Sequence, residues 1–167
     1  MLKKFSPTLW NTIGILMIVI VVALHFVPFF VVEGDAISVN PVADGNETLS
    51  LFSYEWLPET YPGVLDTAKS LSSDYDMLMN NIILLPNLQC LLAILALALY
   101  IFQRKTFVAA ITPVVISIIG VIMYIAVPVL RCGLLWQVHL VVQVVATVVT
   151  GLVLGLHIAN ASKPKKK

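Results

Sequence analysis

Four long apolar runs without a single Asp, Glu, Lys or Arg govern what this chain can fold into. They cover residues 9–32, 82–102, 107–129 and 134–158. Each is near or above the roughly 20 residues that an α-helix needs to cross about 30 Å of hydrocarbon. Inside lipid a backbone must satisfy its own N–H and C=O groups, so such runs are read as helices. The whole chain agrees: 59% of its residues are hydrophobic and 11% charged, against roughly 25% charged in ordinary globular proteins. The expected fold class is an all-α membrane protein. It is a four-transmembrane-helix antiparallel bundle with a small α+β extracytoplasmic loop domain, a hairpin plus a helix, between the first two spans.

Charge is segregated along the chain. All nine acidic residues lie between Glu33 and Asp76, with only Lys69 beside them. Lys3, Lys4, Arg104, Lys105, Lys163, Lys165, Lys166 and Lys167 flank the inner ends of the spans, and Arg131 stands alone in the second outer turn. Lys and Arg near span ends mark the cytoplasmic side. The expected order is therefore a cytoplasmic N-terminus (1–8), an outer loop domain (33–81), a cytoplasmic turn (103–106), an outer turn (130–133) and a basic cytoplasmic tail (159–167). This makes a multi-pass protein of the plasma (cell) membrane. Its net charge of +1 gives no affinity for nucleic acid. The first run is longer than a signal core, and Val31-Val32-Glu33-Gly34 is a poor cleavage site, so it is expected to be a retained anchor. The two short turns make the last three spans antiparallel neighbours.

The outer loop carries its own pattern. Ile37 and Val39, then Leu49 and Leu51, alternate with polar residues around Asp44-Gly45, which predicts a hairpin with strands near 36–42 and 47–55. Val64, Ala68, Leu71, Tyr75 and Leu78 recur at helical spacing and predict a helix that covers it. Asn46-Glu47-Thr48 is a glycosylation sequon beside the turn. Phe52, Tyr54, Trp56 and Tyr61 form a dense aromatic run of the kind that anchors interfaces, with packing against the loop helix as the plainer reading.

Polar residues in the spans are expected to face other helices, where they bond across them. The fourth run has a stripe of His139, Gln143, Thr147 and Thr150 with Gly151 and Gly155 close by. The third has Pro113, Ser117, Gly120, Tyr124 and Pro128. The first supplies Gly14 and His25, and the second Asn87, Cys90, Ala93 and Ala96. A sharper reading makes His25, Tyr124, His139 and Gln143 the lining of a ligand cavity in the outer half of the bundle. The similar depth of His25 and His139 would suit two axial ligands of a haem; helix packing without any cofactor is the plainer expectation. Cys90 and Cys132 both lie toward the outside. They are expected as two free thiols, with a disulfide as the alternative if their Cα atoms come within about 7 Å.

Much chemistry is excluded. The outer loop has neither His nor Cys, so it holds no Ser-His-Asp or Cys-His site and no ordinary zinc site. No span contains a carboxylate, which removes the usual proton relay of a coupled exporter. The expected protein is a non-enzymatic accessory subunit that binds other membrane proteins, or copies of itself, in the lipid bilayer. A binder or transporter of a small molecule, lipid or haem, using a cavity in the outer half of the bundle, is the alternative. The layout of four spans with a large first outer loop resembles the claudin-type tetraspan architecture. Trp56 stands in the corresponding loop, but that loop has no cysteine pair, and Gly133-Leu134-Leu135-Trp136 falls in the second outer turn. A likeness of layout implies no function.

Overall fold

The computed structural model describes residues 6–34, 36–38, 47–50, 63–71 and 75–162. The chain is predominantly helical. In order it forms α1 (Pro7–Ala23), a 3-10 turn (Leu24–Phe26), β1 (Pro28–Glu33), β2 (Ala36–Ile37), β3 (Glu47–Ser50), α2 (Gly63–Leu71), α3 (Tyr75–Gln103), α4 (Phe107–Ala126), a second 3-10 turn (Pro128–Cys132) and α5 (Trp136–Ala161). Among the described residues three stretches are apolar enough and long enough to cross a membrane: Pro7–Phe26, Phe107–Ala126 and Trp136–Ala161. α3 carries the remaining apolar run of the sequence, 82–102.

Two helices end earlier than their apolar runs, for one physical reason. Proline restricts the residue before it to extended backbone and offers no N–H to the helix. Val27 before Pro28 sits at φ −79°, ψ 145°, and Val127 before Pro128 at φ −103°, ψ 99°. The expected first span, 9–32, is therefore helical only as far as Phe26, and the expected third, 107–129, only as far as Ala126. Beyond Pro28 the run Phe29-Phe30-Val31-Val32 is aromatic and β-branched, which suits a strand.

That strand corrects the expected hairpin. β2 and β3 do form where alternation placed them, but they do not pair with each other. β1 lies between them in the order β2-β1-β3, antiparallel to both. Val32 stands opposite Ile37 on one side and opposite Glu47 on the other. Gly34, at φ +67°, opens the two-residue link from β1 to β2, a position that favours glycine. The Asp44-Gly45 turn, the sequon at Asn46, the aromatic run from Phe52 to Tyr61 and the basic tail from Lys163 lie outside the described residues. The loop helix is shorter than expected: α2 ends at Leu71, and Tyr75 and Leu78 belong to α3.

The central strand is bolted to the helices below it. A break in register between Pro28 and Phe30 turns the Phe29 carbonyl out of the ladder, as a bulge does, and it accepts a hydrogen bond from the Leu134 N–H. The Phe29 ring fills the space over Gly133, where any Cβ would overlap it. The α1, α3, α4 and α5 helices pack on one another; α4 with α5 is the most extensive pairing and α1 with α3 the least, while α3 and α5 scarcely touch. Ile15, Ile18, Ala93, Ala96 and Ile116 make the apolar core between α1, α3 and α4. Thr106 precedes α4 and its hydroxyl accepts from the Ala109 N–H, a helix-start role common for threonine. At the opposite end of α4 the Arg131 guanidinium donates to the Ile125 carbonyl, 2.9 Å away, satisfying one of the carbonyls that a helix C-terminus leaves open.

Candidate functional site

The polar residues of the helices meet in layers. In the layer nearest β1 the Tyr124 hydroxyl on α4 lies 3.0 Å from His139 Nδ1 on α5. Phe29 packs against both rings, with centroids 6.1 Å from Tyr124 and 4.9 Å from His139. One turn further in, Gln89 of α3 donates from Nε2 to Gln143 Oε1 of α5 and to the Ile116 carbonyl of α4, each at 3.1 Å. Those two glutamines span helices that scarcely touch. Gly120 allows it: a Cβ there would overlap both the Gln143 amide and Gln89. His25, on the last turn of the first helix, holds Nδ1 3.2 Å from the Val21 carbonyl, with the Gln89 side chain beside its ring.

Of the four residues expected to line a cavity, Tyr124 and His139 are therefore bonded to each other. Gln143 is bonded to Gln89, and His25 stands next to Gln89. All four are buried, none more than 2% exposed. His139 packs against the Phe29 ring, and among the described residues no group of three or more His, Cys, Asp or Glu lies together. Gln89 is the residue the sequence stripes missed. Its spacing of four and seven to Ala93 and Ala96 puts it on the same buried face of α3.

Deeper layers are tied in the same way. Ser117 of α4 and Thr150 of α5 lie 3.2 Å apart. At the end of the helices far from β1, Asn11 of α1 donates to the carbonyls of Arg104 and Thr106, at 3.1 and 3.2 Å, and its Oδ1 accepts from His157 Nε2 at 2.8 Å. Asn11 thus clips the α3–α4 turn to both α1 and α5. Thr12 and Tyr100 bond across α1 and α3 at 2.6 Å. Gly14 lies against Pro113, so α1 and α4 approach closely at mid-height.

Two features open outward. A groove of about 300 Å³ runs along the α1–α3 seam, lined by Ile18, Val19, Val22, Phe26, Cys90, Ala93, Ile94 and Leu97 among others. Val19, Ile94 and Phe26 are largely exposed there. The other is a glycine face on α5. Gly151 and Gly155 were expected inside the bundle with the His139 stripe, yet a Cβ built on either meets nothing within 4 Å. They turn away from α1 and α4, with exposed Val148 and Leu152 beside them.

Cys90, half-buried on α3, and Cys132, buried in the second 3-10 turn, are both free thiols. Burial pushes the Cys132 thiol above its usual pKa. No family model, no curated protein and no solved structure matches this chain.

Proposed function

We propose that this chain is a four-span integral protein of the cell membrane, with both termini cytoplasmic, that works as a non-catalytic interaction subunit. In this reading α3 is the fourth span. Lys and Arg at the N-terminus, in the 103–106 turn and in the C-terminal tail support the orientation. The contact it makes in the bilayer is a second helix laid against the Gly151-Leu152-Val153-Leu154-Gly155 face of α5. The observation that carries this reading is the outward direction of the two glycines. Gly-x-x-x-Gly spacing puts both on one side of a helix, and small residues there let another helix backbone approach closely. A glycine inside a helix has a cost of its own, and none of the described residues uses the space these two leave.

A second copy of the chain is the first partner to test, because the same face on two copies meets around a two-fold axis. Replacing Gly151 and Gly155 together by leucine should abolish cross-linking between differently tagged copies in native membranes. Full retention of cross-linking would remove the α5 face from the interaction. The aromatic run Phe52, Tyr54, Trp56 and Tyr61 is proposed as the extracytoplasmic contact; Trp56→Ala should weaken the recovery of partners in a pull-down, and unchanged recovery would count against it.

A second reading, a binder of a small molecule within the helices, draws support from a specific observation. Three polar atoms buried at the His25–Gln89–Gln143 layer have no hydrogen-bond partner.

A further inference from the structure

The end of the helices far from β1 gathers three stretches of chain that are well apart in sequence. The Asn11 side chain holds the Arg104 and Thr106 carbonyls and meets His157, so the start of α1, the turn between α3 and α4 and the last two turns of α5 stand together. Each of the three carries cations: Lys3 and Lys4 ahead of α1, Arg104 and Lys105 in the turn, and Lys163, Lys165, Lys166 and Lys167 after α5. At about 1.5 Å per helical residue and at most about 3.5 Å per extended one, Lys4 lies within about 17 Å of Asn11 and Lys163 within about 13 Å of His157. No carboxylate belongs to these stretches, since all nine lie between Glu33 and Asp76. Asp76 and Gln103 stand near opposite ends of α3, about 40 Å apart along its axis. That is several times the screening length of about 8 Å at physiological salt. Arg104 and Lys105 are exposed, and neither enters an ion pair among the described residues.

We propose that this end of the molecule is a binding surface for acidic phospholipids, whose headgroups are held jointly by the 104–105 turn and by the lysines of the two chain ends. Exposed apolar side chains border the turn: Leu9 on α1, Phe102 near the end of α3 and Phe107 at the start of α4. Cations beside an apolar rim suit the border between hydrocarbon and headgroups, where Lys and Arg stems lie along apolar surface and their heads reach the polar layer. An acidic protein segment would meet the same charges but would leave that rim uncovered. Clusters of about four to eight Lys or Arg next to a span select anionic lipid, and the Asn11 clip ties eight to one place. A zwitterionic lipid offers such a cluster no net charge. The proposal rests on the membrane reading above and is independent of the α5 contact.

Electron spin resonance of the full chain in phosphatidylcholine vesicles tests this, with trace spin-labelled phosphatidylserine or spin-labelled phosphatidylcholine as the probe. Lipid held against the protein appears as a motionally restricted fraction. One cation near an anionic surface is worth about fivefold in association, so phosphatidylserine should be restricted with at least about that preference over phosphatidylcholine. The preference should collapse in 1 M salt, where the screening length is about 3 Å. Arg104→Gln with Lys105→Gln should reduce it several-fold and leave the phosphatidylcholine signal unchanged, because Asn11 holds the Arg104 carbonyl and not its side chain. Arg131→Gln, beyond the opposite end of α4, should leave the preference as it was. Equal restriction of the two lipids, or a preference that survives the paired substitution in full, would overturn the proposal while the membrane reading stands. A chain that restricts neither lipid would overturn both.

Discussion

Adding one methyl group at Gly120 should break the membrane-embedded amide layer, whereas the same methyl at Gly151 should cost the single chain nothing. A Cβ at Gly120 overlaps the Gln143 amide and the Gln89 nitrogen, while a Cβ at Gly151 meets open space. To make room, both glutamines must swing away, which breaks the Gln89–Gln143 bond and the Gln89–Ile116 bond. Interhelical side-chain bonds in membrane proteins average about 0.6 kcal/mol and reach about 1.7. Polar groups left buried and unpaired cost about 1–3 kcal/mol more, and overpacking a filled site costs a similar amount. Even at the lower end of each range, Gly120→Ala should therefore destabilise the fold by about 3 kcal/mol. Gly151→Ala should lie between no change and the gain of up to about 1 kcal/mol expected from helix propensity. Equilibrium unfolding by increasing SDS fraction in mixed micelles, at a dilution where the chain is monomeric, reads both. If Gly120→Ala unfolds within about 0.5 kcal/mol of the unsubstituted protein, below the overpacking cost of a tightly packed core, the tight amide crossing over α4 is wrong.

The layers at the two ends of the helices make their own predictions. Asn11→Ala removes the clip between α1, α5 and the 103–106 turn and with it three hydrogen bonds; the same unfolding assay should show a loss of about 2 kcal/mol. Tyr124→Phe removes one hydrogen bond to His139 without changing ring packing, so the loss should be smaller, about 1 kcal/mol, and the His139 Nδ1 signal should shift. Cys132 should alkylate with iodoacetamide more slowly at pH 8 than a free cysteine. Burial raises its pKa, so less of it is the reactive thiolate, and its rate should still be climbing after the free thiol has levelled off. Gly133→Ala should shift the Phe29 ring off Tyr124 and His139, which the ring-proton contacts of Phe29 would report.

The sequence made the helices legible because their uncharged runs are long, and it made the polar layers partly legible because helical spacing puts His139, Gln143 and Thr150 on one face. It hid β1. Apolar count alone cannot tell a buried strand from the end of a membrane helix when both are made of Phe and Val, and here the deciding residue is Pro28. The same device at Pro128 shortened the third run. The hairpin was misread for a related reason: β2 and β3 showed the alternation of half-exposed strands, while the strand between them is buried at Phe29, Phe30, Val31 and Val32 and shows no alternation. Gln89 escaped notice because a single polar residue between Leu88 and Cys90 forms no stripe, and its partners lie on two other helices. The direction of Gly151 and Gly155 was legible in the helix geometry. Closeness in sequence groups them with His139 and Gln143, but at about 100° per residue they stand roughly 120° and 160° around α5 from His139, so the geometry that buries the polar stripe already turns them outward.

The interaction reading is most exposed to native mass spectrometry of the protein released from its own membranes in mild detergent, side by side with the Gly151→Leu, Gly155→Leu double variant. The expected spectrum is a defined complex, of two copies or of one copy with another membrane protein, that collapses to a single chain in the double variant. A lone chain from the unsubstituted protein, or the same complex from both, would contradict it.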